Sequence, residues 1–284
     1  MVCIRREKEM SRKYTYGFIG AGNMGGAMIG GLLKSGLAAK GDIIASVHTT
    51  ESKRRIEESF GITSTISNAE AAEQSDIIIL AVKPAQLFAV FPEISGVLEP
   101  DQVVVSVAAG KSLSDIDTGL VSVKVAGQLK VARVMPNTPA LVGEAMSAVS
   151  FNDRFSDEEK ETVMAIFRSF GKAEEVPESM MDVVTGVSGS SPAFIYMLIE
   201  AMADEAVLHG MPRKQAYVFA AQSVLGSAKM VLETGKHPGA LKDDVCSPGG
   251  TTIEGVAALE AAGFRSAIMD GIEAAIEKSE AMSR

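Results

Sequence analysis

Residues 16–25 read Tyr-Gly-Phe-Ile-Gly-Ala-Gly-Asn-Met-Gly, and the prediction of the whole fold starts from them. The run 14–19 is short and apolar, as expected for a buried strand, and glycines follow at positions 20, 22 and 25. Residues 26–33 then repeat Ala, Met, Ile and Leu at helical spacing. A G-x-G-x-x-G pattern between a strand and a helix favours a dinucleotide-binding site. The alternatives are a structural turn and the glycine-rich nucleotide site of a methyltransferase.

Each of the three glycines has its own role in such a site. Gly20 permits the tight turn, Gly22 lets the backbone approach a pyrophosphate, and Gly25 lets the helix pack close to the strand. The free N–H groups at the start of the helix then face the anion.

The composition limits the size of the protein and its partners. At 284 residues the chain is long enough for two domains. Apolar residues make up 46% and the mean hydropathy is +0.18. Surplus apolar surface is therefore expected to be buried between subunits, or else in one very complete core. No run approaches the roughly 18 continuous apolar residues of a membrane span. A net charge of −9 and a pI near 5.0 argue against a nucleic-acid surface.

The cysteines and the N-terminal segment favour a cytoplasmic location. Cys3 and Cys246 lie far apart without a C-x-x-C pattern, so no disulfide framework is expected and a reducing cytosol fits. Residues 1–13 are charged and lack the apolar segment of a secretory signal. We predict that they form a flexible N-terminal extension, with Met10 as an alternative natural start.

Strands alternate with helices through the first part of the chain. Strands are predicted at 14–19, 42–47, 61–65, 76–82, 103–107 and 130–135, and a helical turn is predicted at 68–74 with Asn68 at its cap position. This alternation predicts an α/β fold, with an N-terminal Rossmann-like doubly wound parallel sheet in residues 14–176. Ligands bind such sheets outside the carboxyl ends of the strands. The strand ends at 20–25, 81–84 and 107–110 are expected to converge on one crevice.

Residues 177–284 read as an all-helical C-terminal domain. No β-rich run occurs there, and helices are predicted at 193–209, 213–233, 251–262 and 264–282. Ser190 and Ser191 before Pro192 indicate an N-cap followed by a first-turn proline. The helix 193–209 is apolar almost all round, so it is expected to be buried either centrally or between subunits.

The end of the second strand bears on the type of dinucleotide. A site for NAD usually places Asp or Glu there, but this strand runs into Ser-Val-His-Thr-Thr, residues 46–50. Hydroxyl groups and His48 could instead receive a 2′-phosphate, so NADP is favoured. Lys53 and Arg54, further on, are more simply explained as solvated loop residues.

A second glycine-rich stretch opens a helix near the C-terminus. Residues 246–252 read Cys-Ser-Pro-Gly-Gly-Thr-Thr, and Thr251 with Glu254 matches a capping box. Two glycines beside the N–H groups of a helix start make a small anion receptor suited to a carboxylate, with the Thr252 hydroxyl beside it. A capped turn without a ligand explains the spacing equally well.

Other catalytic patterns are weak or missing. Residues 186–190 resemble a serine-nucleophile elbow but do not match G-x-S-x-G, and no metal-ligand spacing occurs. Lys83 follows a strand at the predicted crevice, where it is either a functional cation or a lysine that caps the strand before Pro84.

Several motifs together resemble the pyrroline-5-carboxylate reductase family, over essentially residues 14–282. They are Gly-Phe-Ile-Gly-Ala-Gly-Asn-Met-Gly at 17–25, Ala-Val-Lys-Pro at 81–84, Met-Pro-Asn-Thr-Pro at 135–139, Gly-Val-Ser-Gly-Ser-Ser-Pro-Ala at 186–193 and Val-Cys-Ser-Pro-Gly-Gly-Thr-Thr-Ile-Glu at 245–254. The resemblance implies NAD(P)H-dependent reduction of L-1-pyrroline-5-carboxylate to L-proline. It also implies a helical substrate-binding and dimerisation domain at 177–284, with dimers that often assemble into decamers.

The resemblance also implies roles for individual residues. The residues expected to bind the cofactor are Gly20, Ala21, Gly22, Asn23, Met24, Gly25, His48, Thr49, Asn68, Ala81, Val82, Lys83, Pro84, Ala108 and Ala109. Those expected to bind the substrate are Ser247, Gly249, Gly250, Thr251 and Thr252. Thr252 and Lys83 are the candidate catalytic residues. No Asp, Glu or His in the motifs is an obvious general acid, which leaves solvent as the proton source and Thr252 to orient it.

Two other functions are considered. A β-hydroxyacid dehydrogenase has a similar domain order, but it would need a catalytic lysine on the helix after the sheet domain, where residues 188–193 contain none. A non-catalytic NADP-binding module would bind the cofactor without turnover of any imine or hydroxy acid.

Overall fold

The computed structural model describes residues 12–283. Of the N-terminal extension predicted at 1–13, residues 1–11 lie outside this described part, and so does Cys3. The chain divides into two compact units. The second is Ser190–Ala275, and the first is formed by the residues on either side of it. Residues 177–189, which the sequence assigns to the helical domain, thus belong to the same compact unit as the sheet.

The described part of the first unit contains an eight-stranded sheet. Its strands are β1 (Tyr14–Ile19), β2 (Ile43–Ser46), β3 (Thr63–Thr65), β4 (Ser75–Leu80), β5 (Val103–Ser106), β6 (Lys130–Met135), β7 (Ala145–Phe151) and β8 (Gly171–Glu175). They lie in the order β3-β2-β1-β4-β5-β6-β7-β8, and all neighbours are parallel except β6 and β7. The predicted Rossmann-like doubly wound sheet is confirmed, with one antiparallel pair added.

The sequence did not predict the last two strands. β7 is built mainly from small residues, Ala-Met-Ser-Ala-Val-Ser-Phe, and lacks the run of β-branched residues that marks β4 and β5. β8 reads Gly-Lys-Ala-Glu-Glu, and of these five residues only Ala173 is buried. It is an edge strand held by its pairing with β7, so its charged side chains can face solvent.

Helices cover both faces of the sheet and make up the second unit. They are α1 (Asn23–Ser35), α2 (Thr50–Phe60), α3 (Asn68–Glu73), α4 (Pro84–Ile94), α5 (Leu113–Gly119), α6 (Asp157–Arg168), α7 (Met181–Val184), α8 (Ser191–Leu208), α9 (Arg213–Thr234), α10 (Pro238–Asp244), α11 (Thr251–Ala261) and α12 (Phe264–Ser283).

Two clusters of buried side chains fix the sheet between its helices. Two consecutive residues of β1 belong to opposite clusters. Phe18 packs with Met28 of α1 and Phe167 of α6, whereas Ile19 packs with Leu87 of α4. All five side chains are fully buried. Parallel strands covered on both faces are continuously apolar for this reason, which is why β1 and β4 could be recognised in the sequence.

Three predicted helix caps differ from the structure. Asn68 was expected to cap α3, but the hydroxyl of Ser67 accepts the N–H of Glu70 at 3.1 Å and forms the cap. Thr251 was expected to form a capping box with Glu254, but Gly250 occupies the cap position of α11 and no side chain caps it.

The prediction of an N-cap at Ser190 and Ser191 followed by a first-turn proline is confirmed only in part: Ser190 precedes α8 and Pro192 lies in its first turn, but Ser190 does not cap the helix. Its backbone is helical and its side chain makes no capping bond. Residues Thr185–Ser190 form a π-helical turn that joins α7 to α8, so the helix runs through this position instead of starting there.

The second unit buries few of its apolar side chains. On α8 and α9 only Ala203, Ala216 and Ala220 are buried. Large apolar residues on these two helices remain exposed: Ile195, Tyr196, Met197, Met202, Leu208, Tyr217, Val218, Phe219, Leu225, Met230 and Leu232. The apolar helix predicted at 193–209 is therefore not buried within its own unit, and burial between subunits remains the prediction.

One described helix has the length and composition to cross a membrane. It runs continuously from Glu178 to Leu208, over 31 residues. Apolar helices of proteins that do not enter a membrane can have the same length and composition, so this single helix is weak evidence for a membrane span.

Candidate active site

The loop after β1 lies at the carboxyl end of the sheet, between β2 and β4. The N–H of Gly20 donates to the carbonyl of Ser46 at 3.1 Å, and the N–H of Ala81 donates to the carbonyl of Ile19 at 2.9 Å. Gly20 has a φ of +94°, and a Cβ there would lie 2.9 Å from a methyl carbon of Val82. Only glycine fits this turn without strain.

The other two glycines of the loop have opposite surroundings. A Cβ at Gly25 would lie 2.4 Å from the carbonyl oxygen of Gly20, whereas a Cβ at Gly22 would meet no atom within 4 Å. Gly22 occupies the N-cap of α1, where no side chain caps the helix and the first turn carries no acid. The first N–H groups of α1 therefore have no side-chain acceptor, and the space beside Gly22 is open. These features fit a dinucleotide pyrophosphate.

The loop after β2 places His48 and Thr49 on the surface. Thr49 is the N-cap of α2: its hydroxyl accepts the N–H of Ser52 at 3.1 Å. Lys53 and Arg54 form ion pairs with Glu57 and Glu58, at 3.9 and 3.7 Å. Both pairs are largely exposed, which agrees with their interpretation as solvated residues.

Asn68 is tied to two other elements. Its Oδ1 accepts the Ser46 hydroxyl at 2.6 Å, and its Nδ2 donates to Oε2 of Glu93 on α4 at 2.9 Å. Ser46 is fully buried at the end of β2. The orientation of the Asn68 amide is thus fixed from both sides. Glu93 was not recognised in the sequence, since it lies 25 residues away on another helix.

The ends of β4 and β5 lie next to the loop after β1. Val107 donates its N–H to the carbonyl of Leu80 at 3.1 Å, which aligns the two strand ends. Lys83 is exposed and occupies the N-cap of α4, directly before Pro84. Ala108 is 3% exposed and packs in the core, so only its backbone can face a ligand, while Ala109 is half-buried.

The second glycine-rich stretch lies in the other unit, on its surface. The N–H of Gly250 donates to the carbonyl of Ser247 at 3.0 Å, and Gly249 has a φ of +66°. The Ser247 hydroxyl lies against Gly250, because a Cβ there would be 2.5 Å from it. α11 starts at Thr251 without a side-chain cap, so its first N–H groups are available to an acceptor. Thr251 and Thr252 are both exposed.

The chain matches two protein-family models. Residues 178–282 match "Pyrroline-5-carboxylate reductase dimerisation", and residues 15–110 match "NADP oxidoreductase coenzyme F420-dependent". The pyrroline-5-carboxylate reductase of Escherichia coli strain K12 is 51% identical over 268 residues, which cover 94% of this chain and 98% of that protein. The chain belongs to the pyrroline-5-carboxylate reductase family. It is an enzyme of this type, and its C-terminal part is a dimerisation domain.

Two solved structures of pyrroline-5-carboxylate reductases are also similar. The Plasmodium falciparum protein, with NADP bound, has 32% sequence identity and a TM-score of 0.84, over 95% of this chain and 98% of that one. The Coxiella burnetii protein has 29% identity and a TM-score of 0.87, over 96% and 100%. The similarity thus extends over both units.

Within the family fold, the predicted site residues fall into two groups. All predicted cofactor residues belong to the first unit, and all predicted substrate residues belong to the second. Backbone hydrogen bonds bring the strand ends at Gly20, Ala81 and Val107 together within the first unit. Their roles in binding remain predictions.

A groove on the first unit only partly overlaps these residues. Its volume is about 840 Å³, and it runs along α1 between α2 and residues 140–144. It includes Ala21, Gly22 and Asn23, but not the ends of β4 and β5. The glycine-loop geometry is the better guide to the cofactor position, since that loop faces the carboxyl ends of the strands. Within residues 12–283, no three His, Cys, Asp or Glu side chains form a possible metal site.

Proposed function

We propose that this enzyme reduces L-1-pyrroline-5-carboxylate to L-proline with NADPH, the last step of proline biosynthesis. The observation that carries the proposal is a relationship of 51% identity to the Escherichia coli pyrroline-5-carboxylate reductase over 94% of the chain. The open helix starts at α1 and α11 support it. One can receive the pyrophosphate of a dinucleotide and the other the carboxylate of a small acid.

In the first unit, the loop from Gly20 to Gly25 holds the cofactor phosphates through its backbone. His48 and Thr49 are exposed after β2, where they can contact a 2′-phosphate, and no Asp or Glu stands at that strand end. This favours NADPH over NADH. Asn68 faces the adenosine end, and residues 81–84 with 108–109 line the nicotinamide side. When bound, the cofactor supplies a hydride.

In the second unit, the turn before α11 binds the substrate carboxylate. The donors are the N–H groups around Ser247, Gly250 and Thr251, and Gly249 shapes the turn. The hydroxyl of Thr252, on the second residue of α11, faces the ring nitrogen. Because a protonated imine is the better hydride acceptor, the protein mainly has to align two rings and exclude water.

The proton at nitrogen comes from solvent, and Thr252 orients it. Lys83 is the other candidate catalytic residue. Its ammonium group is exposed, and the structure records no ion pair or hydrogen bond to it from residues 12–283. We propose that Lys83 assists by its charge at the nicotinamide side. Lys83→Met would then lower kcat and leave the melting temperature unchanged, whereas unchanged kinetics would assign Lys83 only to the start of α4.

The subunits associate through the helical domain, and we propose that dimers of this enzyme assemble into a decamer in the cytoplasm. The exposed apolar residues of α8 and α9 support self-association, because such surface is costly in water. Subunit contact, not a membrane, would cover them. Sedimentation of the purified protein without detergent tests the assembly: a stable monomer contradicts the association, and a dimer contradicts the decamer alone.

The activity is tested by following NADPH oxidation with pyrroline-5-carboxylate. Two parallel assays serve as comparisons. One replaces NADPH by NADH, and the other offers a β-hydroxy acid with NADP⁺ in place of the cyclic imine with NADPH. Proline formation with a preference for NADPH is expected. Cofactor binding without turnover of any substrate would identify a non-catalytic NADP-binding module.

A further inference from the structure

Two motifs have no role in the proposed chemistry. They are Met-Pro-Asn-Thr-Pro at 135–139, directly after β6, and Gly-Val-Ser-Gly-Ser-Ser-Pro-Ala at 186–193, which contains most of the π-helical turn. The structure joins them through one hydrogen bond: the side-chain amide of Asn137 donates from Nδ2 to the carbonyl oxygen of Ser188 at 3.0 Å.

The position of Pro192 explains why the Ser188 carbonyl needs this donor. In an α-helix the carbonyl of residue 188 would accept the N–H of residue 192. Proline has no N–H, and its ring collides with the carbonyl four residues earlier. A proline inside a helix therefore normally breaks or kinks it. Here the helix continues from Glu178 to Leu208, with the π-helical turn Thr185–Ser190 directly before the start of α8.

Side-chain hydroxyl groups of the π-helical turn donate hydrogen bonds to carbonyls of the preceding helical turn. Thr185 donates to the carbonyl of Met181 at 2.8 Å, and Ser188 donates to the carbonyl of Val184 at 3.1 Å. Such bonds to the carbonyl four residues earlier loosen or bend a helix. The bond from Ser188 also gives the serine of this motif a structural role that does not require it to act as a nucleophile.

Asn137 is itself held in place from the other side. Its Oδ1 accepts the N–H of Met146, on β7, at 2.9 Å. The turn also abuts the end of β6, because a Cβ at Gly189 would lie 2.7 Å from the terminal methyl carbon of Met135. The π-helical turn is thus fastened to the sheet by a side chain whose two polar atoms are both used.

The turn lies at the place where the chain passes from the first compact unit to the second, between Gly189 and Ser190. The second unit carries the loop before α11 that we assign to the substrate carboxylate. We propose that Asn137 is a positioning residue. It supplies the hydrogen bond that Pro192 withholds from Ser188, and it thereby fixes the helix through which the substrate unit is joined to the cofactor unit. The kinetic consequence rests on the proposed function.

The test is a double-mutant cycle between Asn137 and Pro192. Asn137→Ala removes this side-chain donor from the Ser188 carbonyl. We expect the KM for pyrroline-5-carboxylate to rise about tenfold, the size of one lost hydrogen bond, with the NADPH Kd changed less than about twofold. Pro192→Ala restores an N–H at position 192. In that background, Asn137→Ala should raise KM by less than about twofold.

The chain offers a matched control in Asn152. Its Nδ2 donates to the carbonyl of Leu129 at 3.0 Å, and its Oδ1 accepts the N–H of Arg154 at 3.4 Å, so it bridges backbone groups of the first unit as Asn137 does. Asn152→Ala should lower the melting temperature without raising KM selectively, and with no coupling to Pro192→Ala.

Each outcome decides the proposal. A substrate-selective effect of Asn137→Ala that disappears with Pro192→Ala supports it. The proposal is overturned if Asn137→Ala raises KM equally in the wild type and in Pro192→Ala. It is also overturned if Asn137→Ala and Asn152→Ala change KM and the melting temperature in the same way. If Asn137→Ala does not fold, recovery of a folded, active double variant supports the proposal and failure to recover overturns it. An inactive wild type with intact NADPH binding would instead contradict the proposed function. The melting temperatures of the same four proteins would then still measure the coupling.

Discussion

The carbonyl oxygen of Gly20 lies directly beside the Cα of Gly25, so that a Cβ at position 25 would be only 2.4 Å from it. The start of α1 can therefore approach the end of β1 only because position 25 has no side chain. The second glycine of the motif, Gly22, has no such neighbour. The same motif thus contains a glycine required by the fold and one that leaves space for a ligand.

This difference predicts separate effects of two alanine substitutions. Gly25→Ala should lower the free energy of unfolding by about 1–3 kcal/mol, since backbone atoms would have to move. Gly22→Ala should leave stability unchanged within about 0.5 kcal/mol but raise the Kd for NADPH about tenfold or more, because the methyl group enters the open space. Thermal unfolding and fluorescence titration with NADPH measure the two quantities. Gly96→Ala is the control, because a Cβ there also meets no atom within 4 Å. If the variants at 22, 25 and 96 bind NADPH with equal affinity, the loop after β1 is not the pyrophosphate site.

The loop after β2 predicts the cofactor preference. His48→Ala should raise the KM for NADPH about threefold to tenfold and leave the KM for NADH unchanged, because only NADPH carries the 2′-phosphate. Thr49→Ala should act similarly, but it also removes the cap of α2 and should cost about 1 kcal/mol of stability. Thr49→Ser keeps the hydroxyl and should therefore retain both the stability and the KM for NADPH. A parallel loss with both cofactors would remove these residues from the phosphate site.

The start of α11 predicts a substrate-specific defect. Thr252→Ala should lower kcat/KM for pyrroline-5-carboxylate about tenfold to a hundredfold, the expected loss of one hydrogen bond near the reacting nitrogen. NADPH affinity should not change. Thr252→Ser, which retains the hydroxyl, should recover most of the activity. Thr234→Ala removes an exposed threonine hydroxyl at the end of α9 in the same unit, where it donates to the carbonyl of Met230, and is the control.

Glu159 predicts a pH dependence of stability. Burial alone would raise the pKa of its carboxyl, but the hydrogen bonds from Lys130 and from the N–H of Ser156 outweigh burial, and the pKa lies below its ordinary value of 4.5. The charged Glu159 carboxylate therefore contributes its full stabilisation at a pH above its ordinary pKa. This stabilisation is lost as the pH falls through the lowered pKa of the folded protein. Glu159→Gln can keep the capping bond to Ser156 but not the ion pair.

We expect Glu159→Gln to cost less than about 1 kcal/mol at pH 7, because the pair with Lys130 is partly exposed. The difference from the wild type should vanish in denaturant unfolding at low pH. Glu161→Gln breaks the more exposed pair with Arg168 on the same helix and should have no measurable effect. A difference that stays constant from pH 7 to 3 would contradict the role of the Glu159 charge.

The positions of strands could be predicted where both faces of the sheet are covered. β1 and β4 are buried on both faces, so most of their residues are apolar, and Gly20 directly follows β1. β8 could not be predicted in this way, because an edge strand is defined by its hydrogen-bonded neighbour and not by its own side chains.

The predicted caps at Ser190 and Thr251 failed for a related reason. A capping sequence specifies a helix start only if the preceding residues are not already helical and the cap residue has the extended backbone.

The sequence alone determined the dinucleotide-binding half of the fold, the helical second half and the family. These depend on local patterns: glycines at a strand end, continuous buried strands and a glycine-rich helix start. Only the tertiary structure showed that Ser46 and Glu93 hold Asn68, and that Asn137 serves the carbonyl that Pro192 leaves without a donor. Such pairs join residues 22 to 51 positions apart. Their meeting is set by the stacking of strands and helices, which no single stretch of the chain encodes.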